Sequence, residues 1–98
     1  MAIGDLPSVQ AEAAPLSFAD GLAPPSVLSI AGSDPSGGAG IQADLATMAA
    51  HGLHGAAAVT ALTVQDTAHV YDFRVEAPEW VLAQARAVLQ DLPVAAVK

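Results

Sequence analysis

The sequence has no cysteine and few positive charges. Its 98 residues contain 3 Lys plus Arg against 10 Asp plus Glu, which gives a formal net charge of −7 at pH 7 with His neutral. The lack of cysteine excludes disulfide bonds, zinc-thiolate sites and a thiol nucleophile within this chain. The excess of negative charge would repel a bare polyanion, so nucleic acid is not expected as a partner.

Long apolar runs are also lacking. No run reaches the roughly 18 residues that a membrane span needs, and the amino terminus has neither the basic region nor the continuous apolar region of a signal peptide. Residues 1–25 are acidic, rich in Ala and interrupted by prolines. This composition predicts a disordered tail over residues 1–25, with a docking segment as the alternative. We therefore expect a cytoplasmic protein without a membrane partner, whose core forms from residues 26–98.

From residue 26 onward, four segments have the patterns of β-strands. Residues 27–31 predict a buried strand, and the nearly continuous apolar run of residues 56–64 predicts a strand covered on both faces. Residues 70–75 alternate at period two, which predicts a short strand with one face in solvent. Residues 93–98 predict a final buried strand.

Two further segments have apolar residues at helical spacing. Residues 38–51 are followed by Gly52, which can end a helix, and a second helix is predicted to have Pro78 in its first turn. The apolar stripes consist of Ile41, Leu45, Met48 and Ala49 in the first helix and of Val81, Leu82, Ala85, Val88, Leu89 and Leu92 in the second. Strands that alternate with helices predict an α/β fold with a mainly parallel sheet. Because two helices cannot cover both faces of such a sheet, we expect the first part of a larger domain.

A glycine-rich loop, residues 32–40, joins the first strand to the first helix. It lacks the Lys and hydroxyl residue that complete a Walker A loop, and its glycines do not have the spacing of a dinucleotide fingerprint. One interpretation is structural: Asp34 and Pro35 form a turn, and Ser36 or a glycine caps the helix. In the other interpretation, bare backbone N–H groups at the carboxyl edge of the sheet approach a ligand closely.

Two polar residues favour the ligand interpretation. Asp44 falls within the apolar stripe about one helical turn after the loop, where an unpaired carboxylate is costly to bury. A ligand, a backbone N–H or a distant Lys would each satisfy it. Gln65 follows the second predicted strand and is expected near the same sheet edge as Gly32. Its amide can donate and accept at once, which suits the edge of an aminopyrimidine.

The histidines and the large aromatic residues give no further site. His51 and His54 bracket Gly52, but a metal site would need more ligands. Both are interpreted as loop residues, and no metal site is predicted. Trp80 and Phe73 are interpreted as packing residues.

Residues 29–45, which contain the string SDPSGGAGIQAD from Ser33 to Asp44, resemble the hydroxymethylpyrimidine/phosphomethylpyrimidine kinases of thiamine biosynthesis, as do Gly55 and residues 59–65 downstream. The resemblance is to the amino-terminal part of that family and covers residues 27–98; pyridoxal kinases share the fold but generally not this string. It implies a ribokinase-like three-layer α/β/α fold. It also implies ATP-dependent, Mg²⁺-assisted phosphorylation of 4-amino-5-hydroxymethyl-2-methylpyrimidine and then of its monophosphate.

The resemblance assigns five residues to the substrate side of the site. Gln65 matches the glutamine that binds the pyrimidine, and Asp44 and Gly32 match positions that line the same pocket. Gly37 and Gly38 match the family's substrate-side glycine pair.

The chain differs from the family pattern at two residues, and it corresponds only to the family's amino-terminal part. Ala46 stands where the family usually has Lys, and Asp66 stands where Asn usually follows the glutamine. The family's nucleotide site and acceptor-activating residue lie in its carboxyl-terminal half, so ATP and Mg²⁺ would be bound mainly outside this chain. Because no Lys or Arg precedes Arg74, no side chain near the loop can balance a triphosphate.

We therefore expect an amino-terminal fragment that has no catalytic residue of its own and is inactive alone. A non-catalytic pyrimidine-binding or interaction remnant and a fragment of a pyridoxal-type kinase are the alternatives. Homodimer formation by the full-length protein is left open.

Overall fold

The computed structural model describes residues 23–98, in which strands and helices alternate. The tail predicted over residues 1–25 lies outside the described residues, apart from residues 23–25. Within the described part of the chain, neither helix is long and apolar enough to cross a membrane. The elements are β1 (Ser26–Ala31), α1 (Gly40–Ala50), β2 (His54–Val59), β3 (Ala61–Gln65), β4 (Val70–Val75), α2 (Pro78–Asp91) and β5 (Val94–Val97).

The main sheet is parallel and has the strand order β2-β1-β5. Lys98 extends the pairing of β5 with β1: its N–H donates to the Leu28 carbonyl at 2.8 Å, and its carbonyl accepts from the Ile30 N–H at 3.0 Å. Leu28, Ala58 and Ala85 form the buried core between this sheet and α2. The predicted α/β architecture with a mainly parallel sheet is confirmed.

The run predicted as one strand over residues 56–64 is in fact two strands in different sheets. Strand β2 ends at Val59, opposite Ala31, which is the last residue of β1. The Thr60 N–H still donates to the Ala31 carbonyl at 2.9 Å, but β3 then pairs with β4 as an antiparallel hairpin. The single-strand prediction was wrong because β1 turns away into the glycine loop at this point, so the pairing partner of the chain changes.

Several surfaces are more exposed than predicted. All six residues of β4 are exposed, rather than one face, and three of the four residues of β5 are exposed. Phe73 and Trp80, interpreted as packing residues, have 65% and 49% of their surface in solvent. The reason is that both helices pack on β1 and β2, which leaves the hairpin and β5 with little cover within residues 23–98.

Helix α1 lies where it was predicted. Its N-cap is Ala39, which makes no side-chain cap hydrogen bond, so the capping by Ser36 or a glycine that the structural interpretation of the loop included is wrong. Met48 of the predicted stripe is buried, whereas Ala49 is exposed. Gly52, with a φ of 73°, follows the end of the helix as predicted. The next strand begins at His54, which was predicted to lie in a loop.

Helix α2 begins at Pro78, as predicted, and is joined to β2 by Gln84. The Gln84 Oε1 accepts from the Val59 N–H at 2.9 Å, and Nε2 donates to the Val59 carbonyl at 3.0 Å. One side chain thus satisfies both backbone groups of Val59. Leu82 and Leu89 of the predicted apolar stripe are exposed.

Candidate functional site

The glycine-rich loop is organised by the side chain of Asp34, which is only 4% exposed. Its Oδ1 accepts hydrogen bonds from the Ser36 hydroxyl at 2.7 Å and from the Ser36 N–H at 2.9 Å. The bond from the Ser36 side chain, aided by backbone N–H groups of Ser36, Ala39 and Gly38, holds the pKa of Asp34 below its usual value although burial opposes this. The loop's donors are therefore engaged by the chain's own carboxylate, an arrangement that does not fit a triphosphate.

The glycines of the loop differ in how much space they have. Gly40 has a φ of 60°, and a Cβ there would overlap the Gly32 carbonyl oxygen, so the loop returns tightly onto its own start. At Gly32 a Cβ would have its nearest neighbour, the Ala61 carbonyl oxygen, at 3.7 Å, which is an ordinary contact. Gly37 and Gly38, the predicted substrate-side pair, are exposed to solvent.

Ser33 joins the start of the loop to the hairpin and to α1. Its N–H donates to the Ala61 carbonyl at 2.9 Å, and its carbonyl accepts from the Thr63 hydroxyl at 2.7 Å. Its own hydroxyl accepts from Gln42 Nε2 at 2.8 Å, while Gln42 Oε1 accepts from the Asp34 N–H at 2.8 Å. Sequence reasoning singled out none of Ser33, Gln42 and Thr63 individually. The only available signal was that all three lie in the segments that resemble the family.

Gln65 is connected to Ser33 through the Thr63 hydroxyl. It is the half-buried last residue of β3, and its Nε2 donates to the Thr63 hydroxyl at 2.6 Å. Gln65 was expected at the edge of the parallel sheet beside Gly32. It lies instead in the hairpin and is connected to the loop through Thr63 and Ser33.

Asp66, one of the departures from the family pattern, stabilises the turn of the hairpin. Its Oδ1 accepts from the backbone N–H groups of Ala68 and His69, each at 2.8 Å, and its Oδ2 accepts from the Tyr71 hydroxyl. The bond from the Tyr71 hydroxyl, followed by the two backbone bonds, lowers the pKa of Asp66. The bond between Tyr71 and Asp66 also raises the pKa of Tyr71. The carboxylate at this position is thus a turn-forming group.

The carboxylate of Asp44 has two partners within the chain. Its Oδ1 pairs with Lys98 Nζ at 2.8 Å, and its Oδ2 accepts from the hydroxyl of the fully buried Ser29 at 2.7 Å. The Lys98 bond, followed by the Ser29 bond, lowers the pKa of Asp44, so the carboxylate is held ionised. A distant Lys was among the partners considered from sequence, and Lys98 has this role. Within residues 23–98, no hydrogen bond joins Asp44 to Gly32 or Gln65, so Asp44 is not part of the hydrogen-bond chain that leads to Gln65.

An open cavity of about 530 Å³ lies between the loop and the hairpin. It is lined by Ser33, Pro35, Leu62, Thr63, Val64, Asp72, Phe73 and Arg74. Its size suits a small ligand. None of the five predicted substrate-side residues lines it, but two members of the hydrogen-bond chain that leads to Gln65 do. In the part of the chain that is described, no three His, Asp or Glu side chains group closely enough to hold a metal ion.

Comparison with known proteins identifies the family. A sequence model of the family described as phosphomethylpyrimidine kinase matches residues 34–98. The hydroxymethylpyrimidine/phosphomethylpyrimidine kinase of Mycobacterium tuberculosis H37Rv is 54% identical over 78 residues, which are 80% of this chain and 28% of that protein. The chain thus spans less than a third of the length of the curated relatives it matches.

Solved structures agree with this relationship. The crystal structure of phosphomethylpyrimidine kinase from Clostridium difficile 630 has a TM-score of 0.71 and 45% identity, over 74% of this chain and 32% of that one. The ADP complex of Bacillus subtilis pyridoxal kinase has a TM-score of 0.67 and 33% identity, over 76% and 30% of the two chains. The predicted ribokinase-like fold is confirmed. The glycine loop, the sheet around it and the matched sequence together assign this chain to the phosphomethylpyrimidine kinase family.

Proposed function

We propose that this chain carries the pyrimidine-binding part of a kinase that phosphorylates 4-amino-5-hydroxymethyl-2-methylpyrimidine and its monophosphate in thiamine diphosphate biosynthesis. Family membership supports the reaction class. The observation that carries the binding role is the hydrogen-bond chain from Ser33 through Thr63 to Gln65, beside a cavity large enough for a small ring.

In this proposal each predicted residue has a distinct task. Gln65 binds the polar edge of the pyrimidine, and Gly32 leaves room for the ring at the start of the loop. Gly37 and Gly38 have no side chains and so let the substrate come close to the backbone. Asp44, which Lys98 and Ser29 hold ionised, adds a negative charge on α1, outside the hydrogen-bond chain that leads to Gln65.

ATP and Mg²⁺ would supply the phosphoryl group and neutralise its charge in the transition state. The donors of the glycine loop are engaged by Asp34, and Lys98 is paired with Asp44. Arg74 lines the cavity beside the loop, contrary to the expectation that no cationic side chain lies there, but one guanidinium does not balance the charge of a triphosphate. We therefore assign nucleotide binding to the part of the longer relatives that this chain does not match. On this basis the 98-residue chain binds the pyrimidine but does not turn over ATP. A coupled assay that detects ATP turnover by the purified chain would contradict the assignment.

Isothermal titration of the 98-residue chain with the pyrimidine tests the binding role. Gln65→Ala should weaken binding about 10-fold or more, since a buried hydrogen-bond pair is lost. The structure has room for the added methyl group of Gly32→Ala. A loss of affinity in this variant would therefore show that the bound ligand occupies that space. Gln90→Ala, an exposed change on α2, is the matched control and should bind normally. A chain that is folded by NMR yet takes up no pyrimidine would refute the proposal, as would unchanged affinity of Gln65→Ala.

A pyridoxal-type kinase is the second candidate, because the Bacillus subtilis pyridoxal kinase is similar in fold and sequence. The same titration with pyridoxal separates the two. If the chain bound pyridoxal more tightly than the pyrimidine, we would assign it to the pyridoxal-type kinases.

A further inference from the structure

The direction of the hydrogen bonds around Thr63 fixes the amide of Gln65. The Thr63 hydroxyl has one proton, and it donates that proton to the Ser33 carbonyl at 2.7 Å. Towards Gln65 the hydroxyl can therefore only accept. Of the two amide atoms only Nε2 donates, and it does so at 2.6 Å. The amide oxygen of Gln65 is consequently turned away from Thr63.

The acceptor that controls this direction is itself held firmly. Ser33 is fixed on one side by the bond from its N–H to the Ala61 carbonyl, at 2.9 Å. On the other side its hydroxyl is held by Gln42, whose amide also binds the Asp34 N–H. Because the Ser33 carbonyl cannot easily be replaced as the partner of Thr63, the hydroxyl proton stays on that bond and the amide of Gln65 stays in one orientation.

This orientation leaves a defined pair of groups for a ligand. The Oε1 of Gln65 accepts no hydrogen bond from residues 23–98, and the second proton of Nε2 also has no acceptor among them. Side by side, these groups present one acceptor and one donor. They complement a ring edge with an amino group next to an unprotonated ring nitrogen. In a ring held the same way round by its hydroxymethyl group, an edge with a carbonyl next to a ring N–H has the opposite pattern and would meet acceptor with acceptor and donor with donor.

We propose that Thr63 is a positioning residue that determines specificity: by fixing the amide of Gln65 it makes the site select 4-aminopyrimidines over their 4-oxo counterparts. The proposal rests on the proposed function, in which Gln65 contacts the ring. Without the Thr63 hydroxyl the amide can rotate by 180° and present the opposite pattern, so both ring types would be accepted.

The test compares two ligands in isothermal titration of the 98-residue chain: the 4-amino compound 4-amino-5-hydroxymethyl-2-methylpyrimidine and its 4-oxo analogue. The unmodified chain should bind the amino compound at least about 10-fold more tightly, the value expected when a hydrogen-bonded pair is replaced by a mismatched one. Thr63→Val has nearly the same shape but no hydroxyl, and should bring the two affinities within about 3-fold of each other. Thr63→Ser keeps the hydroxyl and should preserve the preference.

The ratio of affinities separates positioning from a general structural role, because a merely loosened site would weaken both ligands alike. An unchanged ratio in Thr63→Val, or no preference in the unmodified chain, would overturn the proposal. If neither ligand binds, the proposed function fails. The amide orientation is then decided by NMR of the free chain: nuclear Overhauser contacts between the Gln65 Nε2 protons and Thr63 support it, and their absence in a folded chain overturns it.

Discussion

At the scale of single residues, Asp34 makes the glycine loop sensitive to acid. Its pKa in the folded chain lies below the ordinary value of about 3.9. In the acid range the unfolded chain therefore binds more protons than the folded chain. The stability that the ionised carboxylate confers is present above about pH 4 and is lost as the pH falls through the lowered pKa.

Asp34→Asn should therefore reduce the free energy of unfolding at pH 7 and weaken its fall below about pH 4. Urea unfolding followed by circular dichroism over a series of pH values measures both effects. Asp91→Asn, an exposed change at the end of α2, provides the control for the loss of one charge. If Asp34→Asn kept the pH profile of the unmodified chain, the loop would not depend on this carboxylate.

From the sequence it was possible to predict which single residues need a partner, but less often which residue that partner is. Asp44 stood out because a carboxylate in an apolar stripe has to be paired, and a distant Lys was among the alternatives. The roles of Thr63 and Gln42 were not predictable. Thr63 bonds to a residue 30 positions away and Gln42 to one nine positions away. Such pairings depend on how the loop docks against the hairpin and α1, which no local pattern encodes.

At the scale of elements, Gln84 holds α2 against the edge of the main sheet. Gln84→Leu would leave the N–H and carbonyl of Val59 without their partners, at a cost of about 1–3 kcal/mol in the free energy of unfolding. Urea unfolding measures this cost. Gln90→Leu makes the same chemical change at an exposed position of α2 and should have little effect. Equal losses in the two variants would show that the bonds to Val59 do not stabilise the fold.

The positions of the helices could be predicted because several local signals agree. Each has an apolar stripe, and Gly52 and Pro78 mark the end of one and the start of the other. The division of residues 56–64 into β2 and β3 could not be predicted. Both parts are apolar and β-prone, and only the departure of β1 at Gly32 ends the first pairing. The exposure of β4 likewise depends on what packs against it, not on its own alternation.

Within residues 23–98, the β3–β4 hairpin presents a large apolar surface to solvent. Leu62 and Val64 of β3 are 51% and 60% exposed, and Val70, Tyr71, Phe73 and Val75 of β4 are exposed by similar fractions. Surfaces of this kind promote association. The net charge of −7 opposes association by repulsion, and salt screens that repulsion.

We therefore expect the 98-residue chain to self-associate as its concentration or the salt concentration rises. Changing Leu62 and Val64 together to Thr should reduce this association while keeping a residue type that favours strands. Sedimentation velocity at several protein and salt concentrations measures the effect. Leu89→Gln removes an exposed apolar side chain from α2 instead, and should leave the association nearly unchanged. If only Leu89→Gln reduced the association, the surface of α2 rather than the hairpin would be the contact surface.

The bonds of Ser33 also determine which parts of the molecule can open separately. The start of the loop is fastened to β3 through both of its backbone groups, and the same residue is fastened to α1 through its hydroxyl. The hairpin cannot detach without releasing the loop, and the loop cannot rearrange without pulling on the hairpin. In hydrogen exchange the two would behave as one cooperative unit, distinct from the main sheet. A ligand that rigidifies the hairpin would then also slow exchange in the glycine loop, including at loop positions it does not touch.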